Sequence, residues 1–571
     1  MASNNPTGLN PTRLTLPRSV FPINKRHPTT IALGHLIPIM VKEILPGDTI
    51  TLDLSSVIRN ATPFVNPVYG DLMMDAYAFF VPNRLIWDHW FQFCGENDKS
   101  AWTQKNKYLI PKQRFVAETD TREEDTAFTS IGNYLGLPFV VGNSGSRYEF
   151  SINELPLRGY VRIWNEYFRD QNYQNPLLIN FGDESNENVY SWDQPPLVVN
   201  KYHDYFTNVL PEPQKGSPVN IPLGSTAPVV LGDNPVVFQS SSSGGQILRG
   251  FTNNGGSGQF IKDSSNAVQF RSSSGSSDLA NSVNVNLVDA GKSYVDLANA
   301  TAATINAWRI AFQTQVFEEV CARYGTRYNE LVLGLFGVET GDTRAYRTEL
   351  LGGIHIPLNM QEVVATSSSA DNSSTEYALG QQVVKLANAD HSSLFTKSFK
   401  EHGYLYVMVC IRAKQQYFQG IERMWKRDTF LDFYNRIFDN IGETPVYESE
   451  VNCANTGVNT AGSGQVSYDK SNDKVFGYQE AWADYRYEKD LITGYFRPFS
   501  DGGLPTFSFA QELTAWTSPI GLIPEDRARY ARTTALTNLT YDFVCDFMIT
   551  GKIARVMSVR SVPGLIDHHG V

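Results

Sequence analysis

The chain has 571 residues, of which 42% are hydrophobic and 12% aromatic. A disordered chain is poorer in both classes, so the composition excludes disorder for the chain as a whole. Charged residues make up only 19%, against roughly 25% in an average soluble protein. Surfaces buried between subunits are poor in Lys and Glu, so this low charge indicates a protein that assembles.

The net charge of -11 excludes a general nucleic-acid-binding protein, so any such contact must be local. The five cysteines are odd in number and form no CxxC pair, which favours reduced thiols and argues against structural zinc. No apolar stretch approaches the roughly 20 residues that span a bilayer. The N-terminus carries Pro and Asn where a secretory signal needs an apolar core. We therefore expect no membrane insertion.

Residues 1–42 contain five basic residues and no acidic residue, which gives a local charge of +5. Four prolines before residue 25 disfavour a helix and favour an extended conformation. We interpret residues 1–42 as a basic extended N-terminal arm. The alternative is a solvated tail without a partner.

Three segments predict β-strands. Ile50, Leu52 and Leu54 alternate with polar residues after a Pro-Gly-Asp turn, and residues 539–549 alternate in the same way. Residues 71–81 are apolar on both faces, which predicts a strand buried on both sides. The chain is therefore mainly β, with strands that pair across most of its length.

Three apolar stripes at helical spacing predict helices inserted between these strands. The first follows a capping box from Ser151 to Glu154, the second covers residues 305–320 before Gly325, and the third covers residues 430–441. We expect each stripe to pack into the core of the subunit.

From Ser240 to Ser282, Ser, Gly and Asn occupy 24 of 43 positions. Such a segment cannot bury a core of its own. Large apolar residues nevertheless recur in it, which leaves open a flexible surface loop or an ordered excursion that packs against copies of itself. These residues are Phe251, Phe260, Ile261 and Phe270.

The sequence contains no GxGxxG, Walker, HExxH or GxSxG motif. The acidic run 123–125 is interpreted as a solvated patch, because catalytic carboxylate pairs come from separate strands. The terminal cluster 567–569 could ligate a metal but is interpreted as solvated, because no third ligand is indicated. We therefore expect no enzyme activity, no catalytic residue, no cofactor and no metal ligand.

Three stretches of the chain resemble the major capsid proteins of microviruses, in particular the gokushovirus branch of small tailless phages. They are FFVPNRLIWDHWFQFCGEN at 79–97, residues 305–338, and FGYQEAWADYRYEKDLITGYFRP at 476–498. The closing segments LTNLTYDFVCDF and SVPGLIDHHG are similar to the same family. The resemblance extends over nearly the whole chain.

The resemblance implies an eight-stranded viral jelly roll over residues 43–571, with long helix-containing insertions between the strands. It implies an icosahedral homo-oligomeric shell that encloses circular single-stranded DNA, together with other virion and assembly proteins. The Ser/Gly/Asn-rich segment would be the variable surface protrusion, placed at residues 213–292, near the three-fold axes and facing a host-surface receptor. The protein would be found in the virion and assembled in the host bacterial cytoplasm.

Two further groups of residues are candidates for contacts in such a shell. Subunit contacts are expected at Phe80, Pro82, Trp87 and Trp90, with core packing as the alternative for the same residues. Contacts to packaged DNA are expected at Arg13, Arg18, Lys25 and Arg26, with pairing to acids of a neighbouring subunit as the alternative. A function of a different class is a β-rich polysaccharide-binding protein or hydrolase, whose aromatic residues would line a sugar cleft.

Overall fold

The structure is a computed structural model of the full chain. It describes residues 18–96, 108–117, 129–138, 148–217, 219, seven short strands between 229 and 295, and then 305–342, 346–364, 382–459, 466–468, 473–497, 502–513, 519–536 and 539–560.

Eight long strands in the described part of the chain form the centre of the fold. In chain order they are β1 Ser19–Ile31, β2 Ile37–Ile44, β3 Thr49–Asn60, β4 Leu72–Pro82, β5 Glu349–Pro357, β6 Gln382–Ser398, β7 Gly403–Ala413 and β8 Phe543–Arg555.

These strands form two antiparallel sheets, in the orders β1-β8-β3-β6 and β5-β4-β7-β2. The short strand Met360–Val364 extends the first sheet by pairing with β6. Neighbours in a sheet are distant in sequence, as where Ile50 of β3 lies opposite Ile553 of β8. This order is that of a jelly roll, and it confirms the predicted mainly β fold with pairing across the chain.

Long insertions separate β4 from β5 and β7 from β8. Their longer helices are α1 Leu155–Ile163, α2 Ile305–Tyr324 and α3 Tyr328–Phe336, and single turns or π turns lie at Asn83–Leu85, Trp90–Phe93, Ile131–Leu135, Trp164–Phe168, Arg423–Lys426, Phe430–Asp432, Arg436–Phe438, Glu448–Val451, Cys453–Thr456, Ala483–Tyr485, Gly494–Phe496, Pro505–Phe507, Pro519–Gly521 and Ala528–Ala531. None of the helices within the described ranges is long and apolar enough to cross a membrane.

The remaining strands are short and pair locally. They are Lys112–Ala117 with Tyr148–Asn153, Glu443–Tyr447 with Val475–Glu480, Gly457–Asn459 with Val466–Tyr468, and, within residues 229–295, Val229–Val230, Val237–Ser240, Ile247–Leu248, Phe260–Lys262, Val268–Phe270, Val285–Val288 and Tyr294–Val295.

Strand β4 is buried on both of its faces, as the sequence predicted. Met74 and Ala76 face the core between the two sheets, which also holds Leu52 of β3. Phe79 and Val81 face a second core beneath α1. Because both sides of this strand are covered, apolar residues occupy both of its faces.

Helix α1 lies where the first apolar stripe predicted it, and its apolar side chains are buried against the second core. The predicted capping box is wrong. Ser151 pairs with Arg114 in a strand, and the Asn153 side chain accepts from the backbone N–H of Leu155 at 2.9 Å. The Glu154 carboxylate accepts from the backbone N–H of Asn186 at 2.8 Å and from Arg158 at 3.0 Å, so it does not return to Ser151.

The third predicted helix, over residues 430–441, is also wrong. The structure has two separate turns there, Phe430–Asp432 and Arg436–Phe438. The Asp432 carboxylate accepts from the backbone N–H of Thr429 at 2.7 Å, and the Asn435 side chain accepts from that of Ile437 at 3.1 Å. Side chains of this type compete with helical hydrogen bonds, so apolar spacing alone did not produce a helix.

The segment 1–42, expected as an arm, is extended where the structure describes it. However, residues 19–31 form β1, paired with β8 along its whole length, and β2 begins at Ile37. The described part of this segment therefore belongs to the two sheets and does not stand apart from them.

Residues 216–318 form a second compact unit. This unit contains most of the segment 213–292 that was expected as a protrusion, and its position on the surface stays a prediction. Phe260 and Ile261 lie in one strand and Phe270 in its antiparallel partner, with Phe260 opposite Phe270. Phe251 lies outside the described residues.

A buried lysine lies next to a buried ion pair in the other compact unit, which comprises residues 1–215 and 319–571. The ammonium of Lys201 donates to the Gln511 side-chain oxygen at 2.8 Å, and the Arg529 guanidinium nitrogen Nε lies 2.7 Å from a Glu525 carboxylate oxygen. Burial, and then the positive charge of Arg529, lower the pKa of Lys201 to about 7.

This lowered pKa predicts that the subunit gains stability as the pH rises above 7. In the folded state Lys201 loses its proton near pH 7, whereas in the unfolded state it keeps the proton to its ordinary value of 10.5. The unfolded state therefore binds more protons in this window, and stability rises by up to about 1.4 kcal/mol per pH unit. Urea unfolding of isolated subunits at about pH 6, 7.5 and 9 measures this slope.

The matched variant is Lys201→Met, whose unbranched side chain is one atom shorter and which removes the titration. We expect its unfolding free energy to rise less steeply with pH than that of the natural chain. Equal slopes in the two proteins would show that Lys201 does not titrate in this range.

Candidate subunit interface

Three of the four aromatic or proline residues expected at subunit contacts lie inside the subunit. Phe80, Pro82 and Trp87 are buried, and the Trp87 indole donates to Asp183 at 2.8 Å. Trp90 is half-buried, with its ring centroid 6.4 Å from that of Trp87. The interface expectation is thus corrected for Phe80, Pro82 and Trp87, because they are buried and pack in the core of the subunit. For Trp90 it stays a prediction.

A different set of large apolar residues is exposed. They lie in the segment that follows β7, and Phe430 and Ile437 are 80% and 83% exposed. We call the following set the apolar rim: Phe430, Leu431, Phe433, Tyr434, Ile437, Phe438 and Ile441. An exposed apolar cluster of this size marks a surface that binds another protein.

The turn Ala483–Tyr485 and the preceding Trp482, from the same insertion, hold the apolar rim in place. The Tyr434 ring packs edge-on against Trp482, with centroids 5.6 Å apart, and the Trp482 indole donates to the Phe438 carbonyl at 3.0 Å. The Arg427 guanidinium lies 4.4 Å from the Tyr485 ring centroid and forms an ion pair with Asp484. These contacts fix the backbone, so the exposed side chains project from a structured surface.

A cleft of about 1040 Å³ opens beside the apolar rim. Its apolar lining includes Leu431, Phe438 and Ile441 of the rim and also Trp425 and Trp482. Ligand pockets usually have volumes of roughly 300 to 1,000 Å³, so this cleft has room for several side chains.

The basic side chains that line the cleft are paired within the chain. Arg423 lies 2.9 Å from Glu450, and Lys426 lies 3.1 Å from Asp473. Burial raises the pKa of Asp473, but hydrogen bonds from Ser449 and Lys426 outweigh burial and leave the pKa below its usual value. The basic side chains of the cleft are therefore neutralised within the subunit.

The second helical stripe does form a helix, α2, which ends before Gly325 as predicted. Its expected core packing is wrong, because Trp308, Phe312 and Val316 are exposed. In α3, Tyr328 and Phe336 are exposed as well. Apolar residues at helical spacing indicate that one face of the helix becomes covered. They do not show whether the core of the same subunit or another protein covers it.

The basic residues of the first segment do not converge on one point. Arg26 forms an ion pair with Asp546 at 2.6 Å, and the guanidinium of Arg18 lies 3.4 Å from the Thr49 hydroxyl. Lys25 is an exposed residue whose ammonium donates to the Ile39 carbonyl at 3.1 Å, and partial desolvation of this ammonium lowers its pKa. Arg13 lies outside the described residues.

The residues that the structure describes contain no cluster of His, Cys, Asp or Glu suited to a metal ion. Sequence reasoning missed the apolar rim as a surface because it assigned the same residues to a buried helix. The Asp and Asn residues within the stripe were the available signal against that helix.

Comparison with known proteins places the chain in one family. The family model described as capsid protein (F protein) matches residues 12–565. The chain is 33% identical to the capsid protein VP1 of Chlamydia phage 1 and 31% identical to that of Spiroplasma virus 4, with 96% of each chain covered in both comparisons. It is 33% identical to the capsid protein VP1 of Bdellovibrio phage phiMH2K, over 94% of this chain and 93% of the relative.

These similarities confirm the resemblance seen in the sequence and do not favour a polysaccharide-binding protein or hydrolase. They also agree with a jelly roll that exposes large apolar surfaces. The chain belongs to the phage capsid protein (F protein) family, and its role is that of a structural capsid subunit.

Proposed function

We propose that copies of this chain assemble, in the cytoplasm of a bacterial host, into a small icosahedral shell that encloses circular single-stranded DNA. The observation that supports self-assembly most strongly is the apolar rim, a structured set of exposed aromatic and aliphatic side chains in a capsid-family chain. The function is structural, without catalysis. Other virion and assembly proteins are further partners.

Apolar burial supplies most of the contact free energy in this proposal. Covering a side chain such as Phe430 or Ile437 contributes about 1.5 to 3 kcal/mol, whereas an exposed ion pair contributes about 0 to 1 kcal/mol. The basic side chains around the cleft already have acidic partners in their own subunit. Added salt therefore screens little that holds two subunits together.

Electron microscopy of particles purified from phage-producing cells tests this proposal. We expect uniform closed shells with this chain as the main protein, and we expect them to persist at about 0.5 M NaCl, where the Debye length is only a few Å. Intact, folded subunits released at that salt concentration would contradict apolar contacts. A protein found only as monomers would contradict the shell itself.

We propose that the basic N-terminal segment contacts the packaged DNA through Arg13, Arg18, Lys25 and Arg26. The charge asymmetry supports this, since residues 1–42 carry +5 in a chain of -11. Arg26 is exposed and its partner Asp546 neutralises only one of these charges. Such contacts bind phosphates and carry no base preference.

Replacing these four residues with Gln is expected to leave shells that assemble but hold less DNA. The ratio of DNA to protein should fall about threefold or more. Each lost phosphate contact removes the release of counterions that favours DNA binding. The matched control removes four other exposed positive charges. It carries Gln at Lys385, Lys400, Lys474 and Arg560.

Thermal melting first establishes that the subunits of both variants are folded, because Lys25 and Arg26 have contacts within the subunit. Equal DNA content in the two sets of shells would exclude the DNA contact. Failure of the first variant to assemble, with its subunits folded, would instead indicate that these residues tie neighbouring subunits together.

We propose that the Ser/Gly/Asn-rich segment, with Phe251, Phe260, Ile261 and Phe270, is a surface protrusion that contacts a host receptor. Its composition supports a role outside the core. The strand register suggests where this segment can be deleted, because Ser240 lies opposite Val285 in antiparallel strands. A two-residue Asn-Gly turn can join these two positions in place of residues 241–284.

We expect this deletion to shift the melting temperature of the subunit by less than about 3 °C. The phage carrying it should assemble and fail to adsorb to its host, as plaque and adsorption assays measure. Loss of cooperative melting would place the segment in the core. Unchanged adsorption would exclude the receptor contact.

A further inference from the structure

The apolar rim and the cleft lie side by side on one surface. Phe430 and Ile437 project from the rim, while their sequence neighbours Leu431 and Phe438 line the cleft. A surface that carries both an apolar projection and an apolar recess can be complementary to a copy of itself. Trp425, at the opposite end of the segment and 74% exposed, also lines the recess.

The charge of the cleft argues for a protein occupant. Its lining carries three positive side chains, Arg423, Lys426 and Arg427, and four negative ones, Asp428, Asp432, Glu450 and Asp473. Nucleic acid requires an excess of positive charge at its binding surface. This balance, in a chain of the capsid family, favours a second copy of the chain.

We infer that the apolar rim forms a two-fold contact, in which Phe430 and Ile437 of each copy enter the cleft of the other. This inference rests on the proposed self-assembly and specifies one contact within it. A two-fold contact uses the same surface twice and closes after two copies. A contact between two different surfaces would continue from copy to copy into a ring of subunits.

Engineered disulfides distinguish these two arrangements. The starting variant carries Cys94→Ser and Cys453→Ser, which remove the two exposed thiols. Ile437→Cys and Trp425→Cys then place one thiol on the projection and one in the cleft. In a two-fold contact, each pair of chains forms two disulfides with one another, so the covalent dimer is the largest product.

Purified shells of this variant are oxidised and separated by non-reducing gel electrophoresis. We expect a dimer band at least tenfold stronger than in a control with Leu178→Cys in place of Ile437→Cys. Leu178 is 76% exposed and does not line the cleft. A ladder of trimers and larger covalent products would overturn the two-fold contact.

A bond between the two new thiols of one chain would also leave monomers. Shells co-assembled from the Ile437→Cys chain and the Trp425→Cys chain remove that ambiguity, because each chain then has one new thiol. We expect covalent dimers that contain one chain of each kind. Monomers alone in these mixed shells would overturn the inference.

The two proposals fail in different ways. If the natural chain forms no closed particles, the proposed shell is wrong. If it forms closed particles that give no specific covalent dimers, the shell stands and the two-fold contact is wrong. Ile437→Glu provides a second measurement, since it should stop assembly while Leu178→Glu does not, with unchanged melting of both subunits.

Discussion

The fold depends on the burial of two adjacent strands, β4 and β7, on both of their faces. One face of each contributes to the core between the two sheets, through residues such as Ala76 and Val407. The other face contributes to the core beneath α1, through Phe79 and Tyr406. Each strand therefore joins the jelly roll to the insertion between β4 and β5.

Close packing and polar bonds secure this junction. A Cβ atom on Gly159 of α1 would lie 2.2 Å from the Tyr406 hydroxyl oxygen, so only glycine permits the helix to approach β7 this closely. The Tyr406 hydroxyl donates to the Pro156 carbonyl at 2.8 Å. Between the strands, buried Asp75 accepts from Arg412 Nε at 2.8 Å and from the Tyr202 hydroxyl at 2.7 Å. A buried carboxylate needs such partners, and removing Arg412 would take away the positive charge that is paired with Asp75.

The same arrangement explains which sequence inferences succeeded. Strand periodicity and the apolar residues on both faces of 71–81 report burial directly, so β3, β4 and β8 were predictable, as was their long-range pairing. The sequence did not show whether a large apolar side chain packs inside the subunit or projects from its surface. Trp87 and Ile437 are both large apolar residues in an insertion, and only the fold shows that Trp87 lies under the insertion while Ile437 projects from it. The turns at 430–438 depend on Asp432 and Asn435 side chains, whose local bonds override helical spacing.

The basic side chains around the apolar rim and the cleft are paired within the subunit, and this pairing has a consequence for assembly. The charges of Arg423 and Arg427 are satisfied by Glu450 and Asp484 before any partner arrives, so docking does not have to break or create buried ion pairs. A contact made this way avoids the desolvation penalty that buried interfacial charges carry. Its free energy then follows the apolar area that is covered, and its specificity follows the shape of the rim and cleft. Shape-based specificity suits a subunit that must meet identical copies of itself, because the geometry of one surface then determines the symmetry of the contact.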